Sequence, residues 1–140
     1  MNTTIKGRVL VGGNASGELI IIRKPISFLG MVNPVNGQLK SPVDNRNEIS
    51  LAGKILWLPY TTGSTVGAYI IYQMSKNNVA PIAILAQTAD TTLASGCALS
   101  NILLVDLIDL NEIPKDSNFA LVNGNNGVVT FKTVASINNP

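Results

Sequence analysis

Residues 54–86, KILWLPYTTGSTVGAYIIYQMSKNNVAPIAILA, decide the fold, because two apolar runs typical of strands flank a segment with the residue spacing of a helix. The start, KILWLP, is a short run of β-favouring apolar residues that Pro59 ends, so we expect a buried strand. Side chains in the middle recur at spacings of three and four, as on one face of a helix: Val66, Tyr69, Ile70, Gln73 and Met74. The apolar run VAPIAILA follows as a second buried strand. The stretch therefore predicts a strand–helix–strand unit whose helix begins at Ser64.

The same alternation continues toward the C-terminus. Residues 90–100 are small and Ala-rich, which predicts a short helix capped by Asp90, and the apolar run ILLVDLI predicts a third strand. Alternating strands and helices favour a parallel sheet. Further on, FALVNGNNGVVTF places two apolar runs around an Asn/Gly turn, which predicts a β-hairpin.

The N-terminal third combines β-favouring runs with a long irregular segment. IKGRVLV and ELIII flank the turn-like GGNASG, so we expect an antiparallel pair of strands. Residues 23–53 contain several prolines and no lasting period, and we interpret them as an ordered excursion whose apolar PISFLG lies against a partner or the site. The last residues, ASINNP, are expected to fray. Residues 1–140 thus predict one α/β domain, with β-hairpins flanking a βαβαβ centre.

Composition excludes several classes of function. The chain has 140 residues, 46% of them hydrophobic and only 13% charged, so part of its surface is expected to contact a partner. The net charge is +2 and the basic residues are scattered, which disfavours nucleic-acid binding. No apolar run reaches the roughly 18 to 20 residues of a membrane helix, and MNTTIKGRVL does not resemble a secretory signal. We therefore expect no membrane contact and a cytoplasmic location.

Missing residue types narrow the chemistry further. The chain has no histidine, which excludes Ser–His–Asp and Cys–His nucleophiles and imidazole metal ligands. Cys97 is its one cysteine, and a single thiolate cannot hold an iron–sulfur cluster or a structural zinc ion. Any metal cluster must therefore come from elsewhere. Because Cys97 lies in the small-residue stretch ASGCALS, we expect a buried structural thiol.

The carboxylates form no pair at a spacing typical of acid–base catalysis. We expect all of them to be solvated or to cap turns and helices. Those considered are Asp44, Glu48, Asp106, Asp109, Glu112 and Asp116.

The loop TTGSTVG, between the first predicted strand and the helix, is the strongest candidate for a site. In a parallel α/β sheet it lies at the carboxyl end of a strand and at a helix N-terminus, where anions bind. Glycines and short hydroxyls would let it cradle a phosphate or a carboxylate; the residues are Thr61, Thr62, Gly63, Ser64, Thr65 and Gly67. The alternative is that Ser64 only caps the helix. A Walker P-loop is excluded, because no lysine precedes the hydroxyl residues.

A resemblance extends from this loop over nearly the whole chain. The ordered segments GRVLVGGNASGELIII, PISFLGMVNPVNG, SLAGKILWLPYTTGSTVGAYII, NNVAPIAILAQTADTTLASGCAL and ILLVDL resemble the swivelling-domain subunits of the aconitase X family, which includes archaeal phosphomevalonate dehydratases and bacterial cis-3-hydroxy-L-proline dehydratases. The resemblance implies a β/β/α swivelling domain with a mixed, partly parallel sheet. It also implies a hydro-lyase whose large subunit holds a 4Fe-4S cluster, and in which Ser64 acts as the base.

For the phosphomevalonate enzymes the implied reaction is the loss of water from (R)-5-phosphomevalonate, giving trans-anhydromevalonate 5-phosphate. This chain departs from the family pattern at four positions. Many relatives have a basic residue where it has Thr62, and a glycine and an aspartate where it has Met31 and Asn33. They often have a serine where it has Ala68. These departures leave open a relative acting on another hydroxy acid, or a non-catalytic binding module.

Overall fold

Ten strands, three α-helices and one 3₁₀ turn form in the residues that the computed structural model describes, 2–40 and 48–135. Pro42 and Asp44, and the expected fraying of ASINNP beyond Ala135, lie outside these residues. The strands are β1 Thr3–Lys6, β2 Arg8–Val11, β3 Asn14–Ile21, β4 Gln38–Lys40, β5 Glu48–Ser50, β6 Ile55–Leu58, β7 Ala83–Ala86, β8 Leu103–Asp106, β9 Phe119–Asn123 and β10 Val128–Lys132. The helices are α1 Phe28–Met31, α2 Gly67–Lys76 and α3 Thr91–Ser100, and the 3₁₀ turn is Leu110–Glu112.

Eight of these strands form one mixed sheet in the order β1-β10-β9-β3-β6-β7-β8-β2. Strands β3, β6, β7 and β8 are mutually parallel, which confirms the parallel centre expected from the sequence. All four residues of β6, of β7 and of β8 are buried, as strands covered on both faces require. The predicted C-terminal hairpin is confirmed as β9 and β10, whereas β4 and β5 form a separate two-stranded sheet.

The two ends of the large sheet are consecutive segments of the chain. Strand β1 pairs with β10 and β2 pairs with β8, so the sheet curls into a nearly closed barrel at Gly7 between them. The N–H of Gly7 donates to the carbonyl of Gly127 at 2.9 Å. A Cβ at position 7 would lie 2.7 Å from Cγ1 of Val105 and would overlap the carbonyl oxygen of Asp106, so only glycine fits this corner.

This closure contradicts the predicted N-terminal antiparallel pair. The strands around GGNASG exist, but β2 and β3 pair with β8, β6 and β9 instead of with each other. The turn-like glycines predicted that the two strands would pair with each other as a hairpin. Each strand instead pairs with strands from distant parts of the chain. Local sequence cannot distinguish these outcomes, because both bury the same apolar side chains.

Two hydrophobic cores lie on opposite faces of the central strands, giving the β/β/α layering. Alternate residues of β6 face opposite cores: Ile55 and Trp57 enter the barrel interior, and Leu56 and Leu58 face the helices. Trp57 satisfies its indole N–H inside the barrel by donating to the carbonyl of Ile108 at 3.0 Å. Because both faces of β6 are fixed in this way, its carboxyl end holds the following loop in a defined place.

Helix α2 differs from its prediction in two respects. It begins at Gly67, three residues after the predicted start at Ser64. Its buried residues are Gly67, Ile70, Ile71 and Met74, whereas Val66, Tyr69 and Gln73 are exposed. Two overlapping sets of residues in this stretch have the spacing of three and four expected of a helix face. The set that is buried is shifted from the predicted one by about one residue. Helix α3 begins at Thr91 with Asp90 as its N-cap, as predicted.

Residues 23–53 contain more regular structure than the sequence indicated, namely α1, β4 and β5. These elements are only three or four residues long, too short for a periodicity to show in the sequence. Residues in or near these elements are buried in the core under the helices, including Ile26, Phe28, Leu39 and Leu51. The described parts of the segment, 23–40 and 48–53, are therefore packed into the domain.

Candidate functional site

Loops from several strands meet at one edge of the sheet. Because β3, β6, β7 and β8 are parallel, the residues that follow them emerge together at the carboxyl edge, where ligands bind in α/β folds. The loop after β6 carries the predicted site. The segments after β3, β7 and β8 carry Ser27, Asp90 and Leu107. The prediction that TTGSTVG lies at the carboxyl end of a buried strand is thus confirmed.

Ser64 lies exposed in the loop between β6 and α2. Its Oγ accepts a hydrogen bond from the N–H of Val66 at 3.1 Å, and its carbonyl accepts one from the N–H of Gly67 at 3.0 Å. The N-cap position of α2 is Val66, so the Ser64 hydroxyl stabilises the turn that precedes the helix and does not cap its first turn. The alternative prediction was that Ser64 only caps the helix. It holds only in the sense that the hydroxyl accepts a backbone N–H just before the helix begins.

The loop presents unpaired backbone donors beside the hydroxyl. Within the described part of the chain, the N–H groups of Gly63, Ser64 and Thr65 have no hydrogen-bond partner. They precede the N-terminus of α2, whose dipole adds positive potential. A set of free N–H groups in such a turn is suited to an anion.

The PISFLG segment packs directly against this loop. Ile26 and Thr61 form a parallel bridge, in which the N–H of Thr62 donates to the carbonyl of Ile26 at 2.9 Å. Gly63 has a φ of +90°, and a Cβ there would lie 2.7 Å from Oγ of Ser27. The expectation that PISFLG lies against the site is confirmed. It also brings a second hydroxyl, that of Ser27, which the sequence reasoning did not select because the two segments are 37 positions apart.

A short hydrogen bond joins the Ser64 loop to the loop after β7. Thr61 is 7% exposed, and its Oγ1 donates to Oδ1 of Asp90 at 2.7 Å. The same oxygen accepts the N–H of Leu93 at 2.9 Å, which is the capping bond of α3. The sequence identified Asp90 as a cap but provided no sign of this second bond.

Asp106 contradicts the prediction that the carboxylates are solvated or capping. It is fully buried at the end of β8, where its two oxygens accept from Nε and Nη2 of Arg8 at 2.9 and 2.8 Å. The N–H of Ala89 donates to its Oδ2 at 2.9 Å. Burial raises the pKa of Asp106, but the hydrogen bonds from Arg8 and Ala89 and the charge of Arg8 lower it more, so the pKa lies below its usual value. Asp109, by contrast, caps the 3₁₀ turn as expected.

The remaining predicted binding residues differ in how far they are exposed to solvent. Thr62, Gly63 and Thr65 are exposed and face solvent with Ser64. Gly67 is buried, and a Cβ there would lie 3.4 Å from Cγ2 of Thr92 and 3.6 Å from Cβ of Phe28. These are ordinary contacts, so packing alone does not require glycine at this position, and the contact of Gly67 with substrate stays a prediction.

The residues of this chain do not fit an iron–sulfur cluster. Cys97 is fully buried in α3, and burial raises the pKa of its thiol to about 12, which keeps it protonated. Within residues 2–40 and 48–135, no three histidine, cysteine, aspartate or glutamate side chains cluster as metal ligands. The prediction of a buried structural thiol is confirmed. In the same ranges no helix is long and apolar enough to span a membrane.

Comparison with known proteins assigns this fold and loop arrangement to a family. The model of the aconitase X swivel domain matches residues 4–131. The chain belongs to this family. The matched residues include the strands of the barrel, the helical layer and the Ser64 loop.

Relatives of this aconitase X swivel domain include enzyme subunits. The phosphomevalonate dehydratase small subunit of Thermococcus kodakarensis is 47% identical over 109 residues, covering 78% of this chain and 82% of that protein. The protein of the same name from Methanosarcina acetivorans is 40% identical over 127 residues, with 89% and 88% covered. The crystal structure of the holo-form of Thermococcus kodakaraensis aconitase X matches with a TM-score of 0.85 at 42% identity, covering 93% of this chain and 98% of that chain.

Proposed function

We propose that this chain is the small subunit of a phosphomevalonate dehydratase, in which Ser64 is the base. The enzyme would be a hydro-lyase that converts (R)-5-phosphomevalonate to trans-anhydromevalonate 5-phosphate. The names of the relatives support the enzyme class. The observation that carries the assignment of Ser64 is its exposed hydroxyl at the carboxyl edge of the parallel strands, beside N–H groups that have no partner among residues 2–40 and 48–135.

The chemistry requires a proton to leave the carbon next to the substrate carboxylate. Oγ of Ser64, as an alkoxide, would take this proton while the electron pair forms the carbon–carbon double bond and the hydroxyl departs from the neighbouring carbon. The iron–sulfur cluster implied by the family resemblance belongs in this proposal to the large subunit, where it would act as a Lewis acid on that hydroxyl.

A serine alkoxide needs stabilisation, because a free serine is far too weak an acid at neutral pH. The N–H of Val66 already donates to Oγ at 3.1 Å, and this bond strengthens when the oxygen carries a charge. The N-terminus of α2, which begins at Gly67, contributes about 0.3 to 1 kcal/mol at a site as exposed as Ser64 is in this chain. The cation that would complete the stabilisation is assigned to the large subunit, because no lysine or arginine lies between Lys54 and Lys76.

Substrate binding is assigned to the exposed part of the same loop. The hydroxyls of Thr62 and Thr65 and the N–H groups of Gly63 and Thr65 are short, uncharged donors suited to phosphate or carboxylate oxygens. Many relatives have a basic residue where this chain has Thr62, so phosphate charge would be balanced from the partner. In this proposal Gly67 keeps the helix N-terminus close to the loop.

The site is open in this chain, so a partner has to enclose it. Of the ten exposed large apolar side chains in residues 2–40 and 48–135, five lie at the carboxyl edge or beside the loop: Leu29, Tyr60, Val66, Tyr69 and Leu107. Apolar surface around a polar centre is typical of a surface that a partner covers. We assign that partner as the large subunit. The chain by itself would be inactive, and no nucleic acid or membrane takes part; the cytoplasmic location stays a prediction.

The test is anaerobic turnover of (R)-5-phosphomevalonate by this chain co-expressed with its large subunit. We expect turnover with the wild type and none with Ser64→Ala. Ser16→Ala, at an exposed position of β3 outside the loop, is the matched control and should retain activity. Equal turnover by wild type and Ser64→Ala, with both complexes assembled, would remove Ser64 from the mechanism. Turnover of another hydroxy acid, such as cis-3-hydroxy-L-proline, in place of phosphomevalonate would keep the hydro-lyase and change the substrate.

A non-catalytic binding module is the second candidate. It is favoured by the hydrogen bond from Val66 to Ser64, which already provides the hydroxyl with a structural role. On this reading Ser64→Ala costs about 1 kcal/mol of stability and the wild-type complex turns over no hydroxy acid.

A further inference from the structure

We propose that the hydrogen bond from Thr61 to Asp90 positions Ser64, and that the Arg8–Asp106 ion pair holds the loop that carries Asp90. Thr61 and Asp90 are thus positioning residues, which act through the loop and do not contact the reacting atoms. This inference rests on the proposed role of Ser64 as the base.

The first step concerns how little else fixes Ser64. Upstream, the backbone of the loop is last held at Thr62, whose N–H bonds to Ile26. Downstream, the N–H of Val66 donates to Oγ of Ser64 and the N–H of Gly67 donates to its carbonyl. The intervening N–H groups of residues 63–65 have no partner in the described part of the chain. The side chain of Thr61, next to the backbone contact at Thr62, is therefore the second anchor at the upstream end of this segment.

The second step concerns the acceptor, because Oδ1 of Asp90 is shared. It accepts from Oγ1 of Thr61 at 2.7 Å and from the N–H of Leu93 at 2.9 Å. One atom thus joins the start of α3 to the start of the Ser64 loop. Capping alone does not require this arrangement, since serine or threonine caps a helix as well.

The third step follows the connection across the sheet. Ala89, next to Asp90, donates its N–H to Oδ2 of Asp106 at 2.9 Å, and Asp106 is bound through both oxygens to Arg8. Arg8 begins β2, which lies three strand spacings from β6, roughly 14 Å. The contacts therefore fix the loops after β6, β7 and β8 relative to one another along the whole carboxyl edge.

The polar side chains of this connection include two that are buried, which distinguishes them from ordinary solvated surface residues. Thr61 and Asp106 are the two buried polar or charged side chains found in residues 2–40 and 48–135, and both belong to this connection. Burying a hydroxyl or a carboxylate is unfavourable unless each is hydrogen-bonded, and an apolar residue would pack at either place at lower cost. Precise placement of the loop is a function that such bonds provide and apolar contacts do not.

The experiment uses the co-expressed two-subunit complex and compares Thr61→Val, Thr61→Ser and Ser64→Ala with the wild type. Valine keeps the shape of threonine and leaves Asp90 free to cap α3. We expect Thr61→Val to lower kcat roughly 10- to 100-fold while KM changes less than about twofold, because a displaced base slows the chemical step. Thr61→Ser keeps the hydroxyl and should restore kcat. Thr133→Val is the matched control, since it removes a 2.9 Å threonine hydrogen bond to the carbonyl of Asp116 far from the site.

A second measurement does not depend on turnover. Hydrogen exchange of the assembled complex should show faster exchange in peptides covering residues 62–66 for Thr61→Val and wild-type exchange for Thr61→Ser. Should Thr61→Val not assemble, Asp90→Ser keeps a capping hydroxyl for α3 but is too short to hold Thr61 as well. It is expected to show the same loss of kcat and the same faster exchange.

The outcomes separate the two proposals. Loss of activity in Ser64→Ala with full kcat in Thr61→Val would overturn the positioning role alone. Equal impairment of Thr61→Val and Thr61→Ser would also overturn it, because the hydroxyl would then not be what matters. Full activity of Ser64→Ala would overturn the proposed function and this inference together.

Discussion

Gly7 closes the barrel, and its replacement by alanine should be strongly destabilising. A Cβ there would lie 2.7 Å from Cγ1 of Val105, 2.8 Å from Cδ1 of Ile108 and closer still to the carbonyl oxygen of Asp106. The side chains can rotate, but the carbonyl belongs to the strand β8 that pairs with β2, so it cannot move without weakening that ladder. Overpacking a core typically costs 1 to 3 kcal/mol, and backbone overlap places this case at about 3 kcal/mol. For a domain of this size that corresponds to a fall in Tm of about 10 °C.

Urea unfolding followed by tryptophan fluorescence measures this loss directly, because Trp57 lies inside the barrel. Gly12→Ala is the matched control: the nearest atom to a Cβ there is the carbonyl oxygen of Gly124 at 3.5 Å, an ordinary contact. We expect Gly12→Ala to stay within about 0.5 kcal/mol of the wild type. A Gly7→Ala variant as stable as Gly12→Ala would refute the argument that the corner admits only glycine.

Three further predictions concern the site and its surroundings. Gly63→Ala should cost about 1 to 3 kcal/mol and reduce turnover, because position 63 has a φ of +90° and faces Oγ of Ser27; thermal unfolding and the dehydratase assay measure the two effects. Asp106 has a lowered pKa in the folded state, so the stability that it contributes is present above its unfolded pKa of about 3.9 and is lost as the pH falls through the lower folded value. Acid unfolding should therefore be less steep in this range for Asp106→Asn, and an unchanged pH dependence would contradict the ion pair with Arg8. Finally, a thiol reagent at pH 8 should label Cys97 only as fast as the protein unfolds, and rapid labelling of folded protein would contradict its burial.

The sequence predicted the centre of the fold well, because its signals there are local. KILWLP, VAPIAILA and ILLVDLI are continuous apolar runs, as strands buried on both faces must be, and Asp90 is a recognisable cap. The N-terminal strands were also found, but not their partners. Pairing of β1 with β10 and of β2 with β8 depends on long-range packing, which a local turn signal does not contain.

The candidate site was predicted in part for the same reason. The loop TTGSTVG has a local signature of glycines and hydroxyls between a strand and a helix, so its place at the carboxyl edge followed from the sequence. Ser27 and Arg8 reach this edge only through pairing with residues far along the chain. Asp106 was misjudged because most carboxylates without a motif are solvated, and its arginine partner lies 98 positions away.

The corner at Gly7 also has a consequence for the order in which the chain folds. Strands β1 and β2 find their partners in β10 and β8, so each must wait during synthesis for a partner that lies much later in the chain. Contacts between such distant segments slow folding, since loop closure has to precede them. Strands β3, β6, β7 and β8 can associate earlier, while Arg8 reaches Asp106 only when β2 docks. The hydrogen bonds that connect Arg8 to the Ser64 loop are therefore expected to form in one of the last folding steps.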